Sequence, residues 1–225
     1  MTMRVQALIP AFNEAGTIAK VVTGLCRHGI AVCVIDDGST DGTADVARGA
    51  GAEVMANPGD RGKGTAIRSG LARALARDCT HVLLLDGDLQ HLPEEAPLLM
   101  AEAERTGADV VLGQRRFDRR AMPASRYHAN RIGSLALSRF MGVAIRDTQC
   151  GFRLFKADAL RGLKLKARGY DIETEMLVKL KRRGGRIAAV PVSAVYAGQR
   201  SKLRPVRDTT KTCFLAVYYR YLERL

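Results

Sequence analysis

Four consecutive apolar residues, Val82 to Leu85, run straight into Asp86-Gly87-Asp88. An apolar run without alternation belongs to a strand covered on both faces, the pattern of a parallel sheet packed between helices. Two carboxylates therefore stand where the strand leaves the sheet, and open α/β sheets bind ligands outside the carboxyl ends of their strands. The alternate carboxylates of an extended Asp-x-Asp can converge on one hard cation, with Gly87 admitting a close approach of backbone or ligand. Gln90 and His91 follow with a further oxygen and nitrogen. Taken alone, the same residues serve equally well as a polar turn with two solvated aspartates.

The chain upstream repeats this design. Arg4–Ile9 reads as a strand closed by Pro10-Ala11-Phe12-Asn13-Glu14. Asn13 is expected to cap a helix over Glu14–Leu25, whose apolar face includes Ile18, Val21, Val22 and Leu25. A strand at Val32–Ile35 ends in Asp36-Asp37-Gly38-Ser39-Thr40-Asp41-Gly42, before a helix over Thr43–Gly51 and a strand at Glu53–Ala56. Arg61-Gly62-Lys63-Gly64-Thr65 then opens a helix over Ala66–Ala76. This βαβαβαβ order predicts a mostly parallel sheet with right-handed crossovers, an α/β domain. Asn13 and Glu14, Asp36 and Asp37, and Asp86 and Asp88 all fall on one edge of that sheet and would line one cleft. Asn13, Ser39 and Asp41 also read as plain caps or turns. Two familiar nucleotide motifs are absent. GDRGKGT lacks Walker A spacing, and GAGAEV at Gly49 follows a helix rather than a strand.

At 225 residues and 47% hydrophobic, the chain suits one large domain, or one domain with an appendage. Its formal charge of +13 points to an anionic partner: nucleic acid, a phosphorylated ligand or acidic lipid. No nucleic-acid motif accompanies that charge, and the acidic cleft opposes such a partner. Five scattered cysteines without a CxxC pair argue against a zinc site or disulfide framework and suit a reducing cytoplasm. There is no signal-peptide core in MTMRVQALIPAFNE, and no apolar run approaches the ~20 residues that span a bilayer. A soluble protein, or one lying on a membrane without crossing it, is expected. Basic clusters at Arg115–Arg126, Lys164–Arg168, Lys179–Arg186 and Arg200–Arg207 suit anionic lipid, at about 1 kcal/mol for each residue near the surface. Ile132–Met141 would lay an apolar face in the headgroup region. The C-terminal CFLAVYYRYLERL is amphipathic and would lie on the membrane, on the domain or on a second subunit.

PAFNE, VIDDGSTDGT, RGKGTAIRSGL and DGDLQH, in this order over residues 5–92, resemble the inverting family 2 glycosyltransferases. The resemblance implies a GT-A (Rossmann-like) fold, a nucleoside diphosphate sugar donor and Mg²⁺ or Mn²⁺. The second half carries a strand at Asp109–Gly113 ending in Gln114-Arg115-Arg116, then DTQCGFRLFK and GYDIETEMLVKL. A strand at Arg186–Val190 and VPVSAVYAGQRSKL follow. This order is similar to the dolichyl-phosphate mannose synthase-like branch, whose members attach mannose or glucose to a polyprenyl phosphate. It implies one GT-A domain over residues 1–207, with a nucleotide-sugar half at 1–92 and an acceptor half at 93–207. An amphipathic helix over 208–225 would follow.

By the same resemblance, Asp86, Asp88 and Gln90 hold the metal and diphosphate. Pro10, Phe12, Glu14, Asp36 and Asp37 hold the base and ribose, with Gly87 beside them and Lys63 approaching the nucleotide. Arg115 and Arg126 grip the acceptor phosphate, Asp147 and Arg153 lie on the acceptor side, and Ser201 and Lys202 belong to a loop that closes over the donor. Tyr196 stands in the region where that branch often has His. The implied partners are GDP-mannose or UDP-glucose, a polyprenyl phosphate, and a membrane surface or membrane-protein anchor, with a homo-oligomer compatible. The implied location is the cytoplasmic membrane face.

A phosphate acceptor is already anionic and needs no general base, whereas a hydroxyl acceptor does. Asp147, Glu173 and Glu175 are the candidates for that base. Each also reads as structural: a cap at Asp147, and helix salt bridges at Glu173 and Glu175, the latter with Lys179 at i,i+4. Transfer to a hydroxyl, and a non-catalytic protein binding nucleotide sugar or anionic lipid, are the alternatives. A nucleotidyltransferase is opposed by PAFNE standing where its Gly-rich loop would be.

Overall fold

The computed structural model describes residues 3–57, 61–115, 145–147 and 150–195, with Arg131, Ser134, Leu135, Ser138, Arg139 and Tyr218. Arg126, Tyr196, Ser201, Lys202 and all of 208–225 except Tyr218 lie outside the described residues. In chain order the elements are β1 (Val5–Ala11), α1 (Ile18–Cys26), β2 (Ala31–Asp36), α2 (Thr43–Gly49) and β3 (Glu53–Ala56). Next come α3 (Lys63–Leu75), β4 (His81–Leu84), a 3₁₀ turn (Pro93–Glu95), α4 (Ala96–Thr106) and β5 (Val110–Arg115). The described elements close with β6 (Arg153–Lys156), α5 (Ala157–Leu160), α6 (Ile172–Arg182) and β7 (Ile187–Val192).

One seven-stranded sheet runs β3-β2-β1-β4-β6-β5-β7. β6 is antiparallel to both of its neighbours and every other pairing is parallel, so six strands share a direction. Both faces are buried. Ala7, Ile9, Leu83 and Leu85 pack under α1, α2 and α4, while Leu8, Val82 and Leu84 pack under α3 and α6. The apolar run ahead of Asp86 behaves accordingly: Val82, Leu83, Leu84 and Leu85 are 0–2% exposed. Burying each such side chain is worth about 1.5–3 kcal/mol. No described helix is long and apolar enough to cross a membrane.

Two expectations need correction. Asn13 does not cap α1, which begins only at Ile18 with Thr17 at its N-cap. Asn13 is in the left-handed region (φ 55°), and its side chain accepts from Thr40 N (2.9 Å) while its own N–H donates to Ser39 Oγ (2.9 Å). It ties the ends of β1 and β2 together. The helix expected from Ala66 instead begins at Lys63, so Lys63 occupies the first turn of α3. β6 was not foreseen as a strand. It is four residues long and begins with an arginine, yet Leu154 and Phe155 point to opposite cores as a central strand requires.

The start of α3 is seated on the 164–168 segment. Gly64 N donates to Arg168 O (2.9 Å), and a Cβ at Gly64 would fall 2.6 Å from Ala167 O. Gly64→Ala must therefore push backbone apart, which costs about 1–3 kcal/mol. A thermal melt of that variant should show a Tm drop of roughly 5 °C; an unchanged Tm would mean the two segments separate freely.

Candidate active site

The chain winds outward through β1, β2 and β3, then returns to place β4 on the other side of β1. This reversal makes the carboxyl ends of β1 and β4 the switch point of the sheet, where a crevice forms because successive connections diverge. Glu14 follows β1 there, and Asp86 and Asp88 follow β4.

Asp86 is met by a cation from α3. Lys63 Nζ lies 2.6 Å from Asp86 Oδ1 and 2.7 Å from Glu173 Oε1 in the first turn of α6. Arg153 of β6 holds Glu173 from behind, 3.2 Å from Oε2, and donates to the carbonyls of Glu173 (2.9 Å) and Cys150 (2.8 Å). The result is a chain of alternating charge, Asp86–Lys63–Glu173–Arg153, buried at Glu173 and Arg153 and open to solvent at Asp86. It draws on four separate elements and fixes the floor of the cleft. Gly151 is required beside it, since a Cβ there would fall 2.6 Å from Asp86 Oδ2.

The two aspartates titrate differently for this reason. Burial raises the Asp86 carboxyl, but Lys63 outweighs it and holds the group below its ordinary value. Among the described residues Asp88 has no such partner. Burial and then the Asp86 charge push it up to about 6. Burial opposes the charge on Lys63, yet Asp86 and Glu173 keep the ammonium well above the usual lysine range. A ¹³C-carboxyl NMR titration of the protein without metal should place Asp88 near pH 6. Asp86→Asn should move that midpoint down, because it removes a like charge and releases Lys63. A midpoint unmoved in that variant would separate the two carboxylates. As Asp88 binds its proton more tightly folded than unfolded, its burden on stability is absent below about pH 4 and complete above about pH 6.

Backbone strain marks the rim. Among the described residues, Asn13 and Leu89 (φ 59°) are the non-glycine positions with positive φ. One follows β1 and the other separates Asp88 from Gln90. A leucine in that region costs of the order of 1–3 kcal/mol and persists only where its surroundings impose it. Gln90 N donates to Asp88 Oδ1 (3.1 Å), Gln90 O accepts from Val195 N (3.0 Å), and Thr17 Oγ1 donates to Gly87 O (2.7 Å). Gln90 thus supports Asp88 through its backbone.

These residues fit a divalent cation. The mutual repulsion of Asp86 and Asp88, expressed in the raised Asp88, is what such an ion relieves. No cluster of three or more His, Cys, Asp or Glu among the described residues has metal-holding geometry. The remaining ligands would be phosphate oxygens and water, the habit of Mg²⁺ bound by one or two carboxylates. His91 is not beside them as a ligand. It is buried, its Nε2 3.6 Å from Cys150 Sγ and its ring 5.8 Å from Phe152, and burial followed by Arg115 pushes its pKa down.

The other expected residues divide into two groups. Pro10 and Phe12 lie at the end of β1, and Phe12 is exposed with the Arg61 guanidinium 5.7 Å from its ring. Glu14 lies close enough to raise Asp88. The Asp36 carboxylate accepts from Ser39 N, and Asp37 accepts from Asn57 Nδ2 (2.6 Å) and Gly62 N (2.8 Å). Asp37 therefore anchors the loop that presents Lys63. Arg115 meets Asp147 in a bidentate pair (2.6 and 3.1 Å).

Two assignments change. Arg153 is 1% exposed, so it offers no guanidinium to an acceptor and acts through Glu173. Asp147, also 1% exposed, is held by Arg115 and is no accessible base. Glu175 is structural: it pairs with Lys179 (2.8 Å) and accepts from the N–H groups of Lys166 and Ala167. Tyr170 was not singled out. It is 47% exposed with Lys63 Nζ 5.4 Å from its ring, and nothing in the local sequence pattern reveals that contact.

Comparison with known proteins agrees with this geometry. The family model "Glycosyl transferase family 2" matches residues 7–163. Glycosyltransferase AglJ of Haloferax volcanii is 36% identical over 220 residues, 95% of this chain and 70% of that protein. The undecaprenyl-phosphate mannosyltransferase of Micrococcus luteus is 35% identical over 207 residues, 86% of this chain and 84% of that protein. Among solved structures, glucosyl-3-phosphoglycerate synthase of Mycobacterium tuberculosis, in complex with Mn²⁺, UDP-glucose and phosphoglyceric acid, superposes with a TM-score of 0.76. It is 23% identical, covering 96% of this chain and 78% of the other, and supports the GT-A fold. A switch-point cleft floored by Asp86 and Asp88, together with these matches, makes the chain a glycosyltransferase that belongs to glycosyl transferase family 2.

Proposed function

We propose that this enzyme transfers a hexose, mannose or glucose, from a nucleoside diphosphate sugar to a polyprenyl phosphate at the cytoplasmic membrane face. The observation that carries this reading is the state of the candidate bases. Asp147, Glu173 and Glu175 are buried and ion-paired, to Arg115, to Lys63 and Arg153, and to Lys179. A carboxylate so held is a poor proton acceptor for a hydroxyl. A phosphate monoester brings its own nucleophilic oxyanion and asks for none. The Micrococcus luteus relative, by name, acts on a polyprenyl phosphate of this kind.

In this reading Asp86 and Asp88 would hold Mg²⁺ or Mn²⁺, which supplies Lewis-acid stabilisation of the diphosphate leaving group. Phe12, Glu14, Asp36 and Asp37 line the nucleoside side. Arg115, oriented by Asp147 at the end of β5, and Arg126 bind the acceptor phosphate through charge-assisted bonds. Attack from the face opposite the leaving group inverts the anomeric centre. By the family resemblance, Ser201 and Lys202 would close over the donor.

A transfer assay tests it, with labelled GDP-mannose or UDP-glucose, Mg²⁺ or Mn²⁺, and a short polyprenyl phosphate beside the same lipid as free alcohol. Product from the phosphate alone is the expected result, and it names the donor. Product from the alcohol, or donor hydrolysis without lipid transfer, would move the acceptor to a hydroxyl.

A further inference from the structure

Lys63 stands where a metal-binding aspartate should be most available. Its ammonium is 2.6 Å from Asp86 Oδ1, and a divalent ion on the same carboxylate would meet that charge at close range. Glu173 offers an equally near seat, 2.7 Å away. The backbone on either side of this ammonium is held. Asp37 accepts from Gly62 N, Gly64 N donates to Arg168 O, and Glu175 fixes Lys166 and Ala167. The Glu173 carboxylate is held by Arg153, itself almost wholly buried. What can move is the Lys63 side chain, which already bridges the two carboxylates.

We propose that Lys63 is a resident counter-ion of Asp86 that yields to the divalent cation by retreating to Glu173, with Arg153 keeping that seat in place. Lys63 and Glu173 are thus positioning residues. They balance the charge beside Asp86 when no donor is bound, and they hold a cation ready beside the diphosphate when it is. This inference rests on the assignment of the cation to Asp86 and Asp88.

The test is Mn²⁺ binding to the protein without nucleotide, followed by electron paramagnetic resonance. Lys63→Met should bind Mn²⁺ about 10-fold more tightly than the unaltered protein, because the competing charge is gone. Glu173→Gln should bind about 10-fold more weakly, because Lys63 then has no second seat. A simple electrostatic field would give the same two signs, so the double variant decides. If Glu173 acts through Lys63, Glu173→Gln in the Lys63→Met background should change affinity by less than about 3-fold. An equal weakening in both backgrounds overturns the proposal, as does an unchanged affinity in Lys63→Met.

Asp88→Asn is the control for the underlying assignment. Loss of Mn²⁺ binding in that variant with no coupling between Lys63 and Glu173 defeats the counter-ion proposal alone, whereas retained binding defeats the cation assignment and the proposal with it. Should the variants melt too low to titrate, a crystal structure of the unaltered protein with Mn²⁺ and UDP answers directly. Nζ on Glu173 and beyond hydrogen-bond distance of Asp86 supports the exchange. Nζ still on Asp86 overturns it.

Discussion

Replacing Asp88 by asparagine should lower sugar transfer by roughly a thousandfold or more while leaving the fold intact. The catalytic loss follows from its place beside Asp86 at the switch point, where it would share the cation that steadies the departing diphosphate. The intact fold follows from what Asp88 does in the free protein. Among the described residues its carboxylate accepts from one backbone N–H, that of Gln90, and burial and then the Asp86 charge push its pKa up to about 6. Asparagine keeps an oxygen for Gln90 and removes the repulsion. Steady-state kinetics beside a thermal melt separate the two claims. Near-normal turnover would remove Asp88 from the chemistry. A large fall in Tm would show that its carboxylate holds structure.

Arg153→Met should do the reverse, acting first on stability. The guanidinium is 1% exposed and joins Cys150 O, Glu173 O and the Glu173 carboxylate. Methionine fills much of its volume and leaves Glu173 buried with Lys63 as its cation. Breaking a buried pair from one side costs about 3–5 kcal/mol, which in a chain of this size lowers Tm by roughly 10 °C. Differential scanning calorimetry checks it. A shift under about 2 °C would mean that the pair is neutral relative to an apolar replacement, as some buried pairs are.

The contrast between these two residues shows what was legible in the sequence. Local patterns were readable: the apolar run of β4, the polar strand ends, the i,i+4 pair of Glu175 and Lys179. Each is encoded within a few residues. The sheet edge that gathers Glu14, Asp36, Asp86 and Asp88 followed from strand order alone. The Lys63–Asp86–Glu173–Arg153 chain did not, because its members come from α3, the end of β4, α6 and β6, and only the tertiary fold brings them together. Arg153 was placed on the acceptor side by resemblance, and a strand of four residues with charged ends has almost no alternation to reveal its burial. Asn13 misled for a related reason. A polar residue ahead of a helix reads as a cap, and here it serves a loop-to-loop bond between the ends of β1 and β2 instead.

The antiparallel β6 has a consequence for how the protein is made. As the chain leaves the ribosome, β3-β2-β1-β4 can assemble on its own, each strand finding a neighbour already synthesised. β5 cannot join them. Its neighbours are β6 and β7, both later in the chain, and the position beside β4 belongs to β6. From the emergence of residue 115 until that of residue 156, β4 lacks β6 at its edge and the apolar Val110–Leu112 lacks its native neighbours among the described strands. Unpaired edges and exposed apolar strands are where nascent chains associate wrongly. Residues 153–156 are then the keystone segment: once they dock beside β4, β5 has a neighbour to pair with, and β7 can pair with β5. A ribosome stalled before that point should hold a nascent chain far more prone to aggregate, and to engage chaperones, than one stalled after β7.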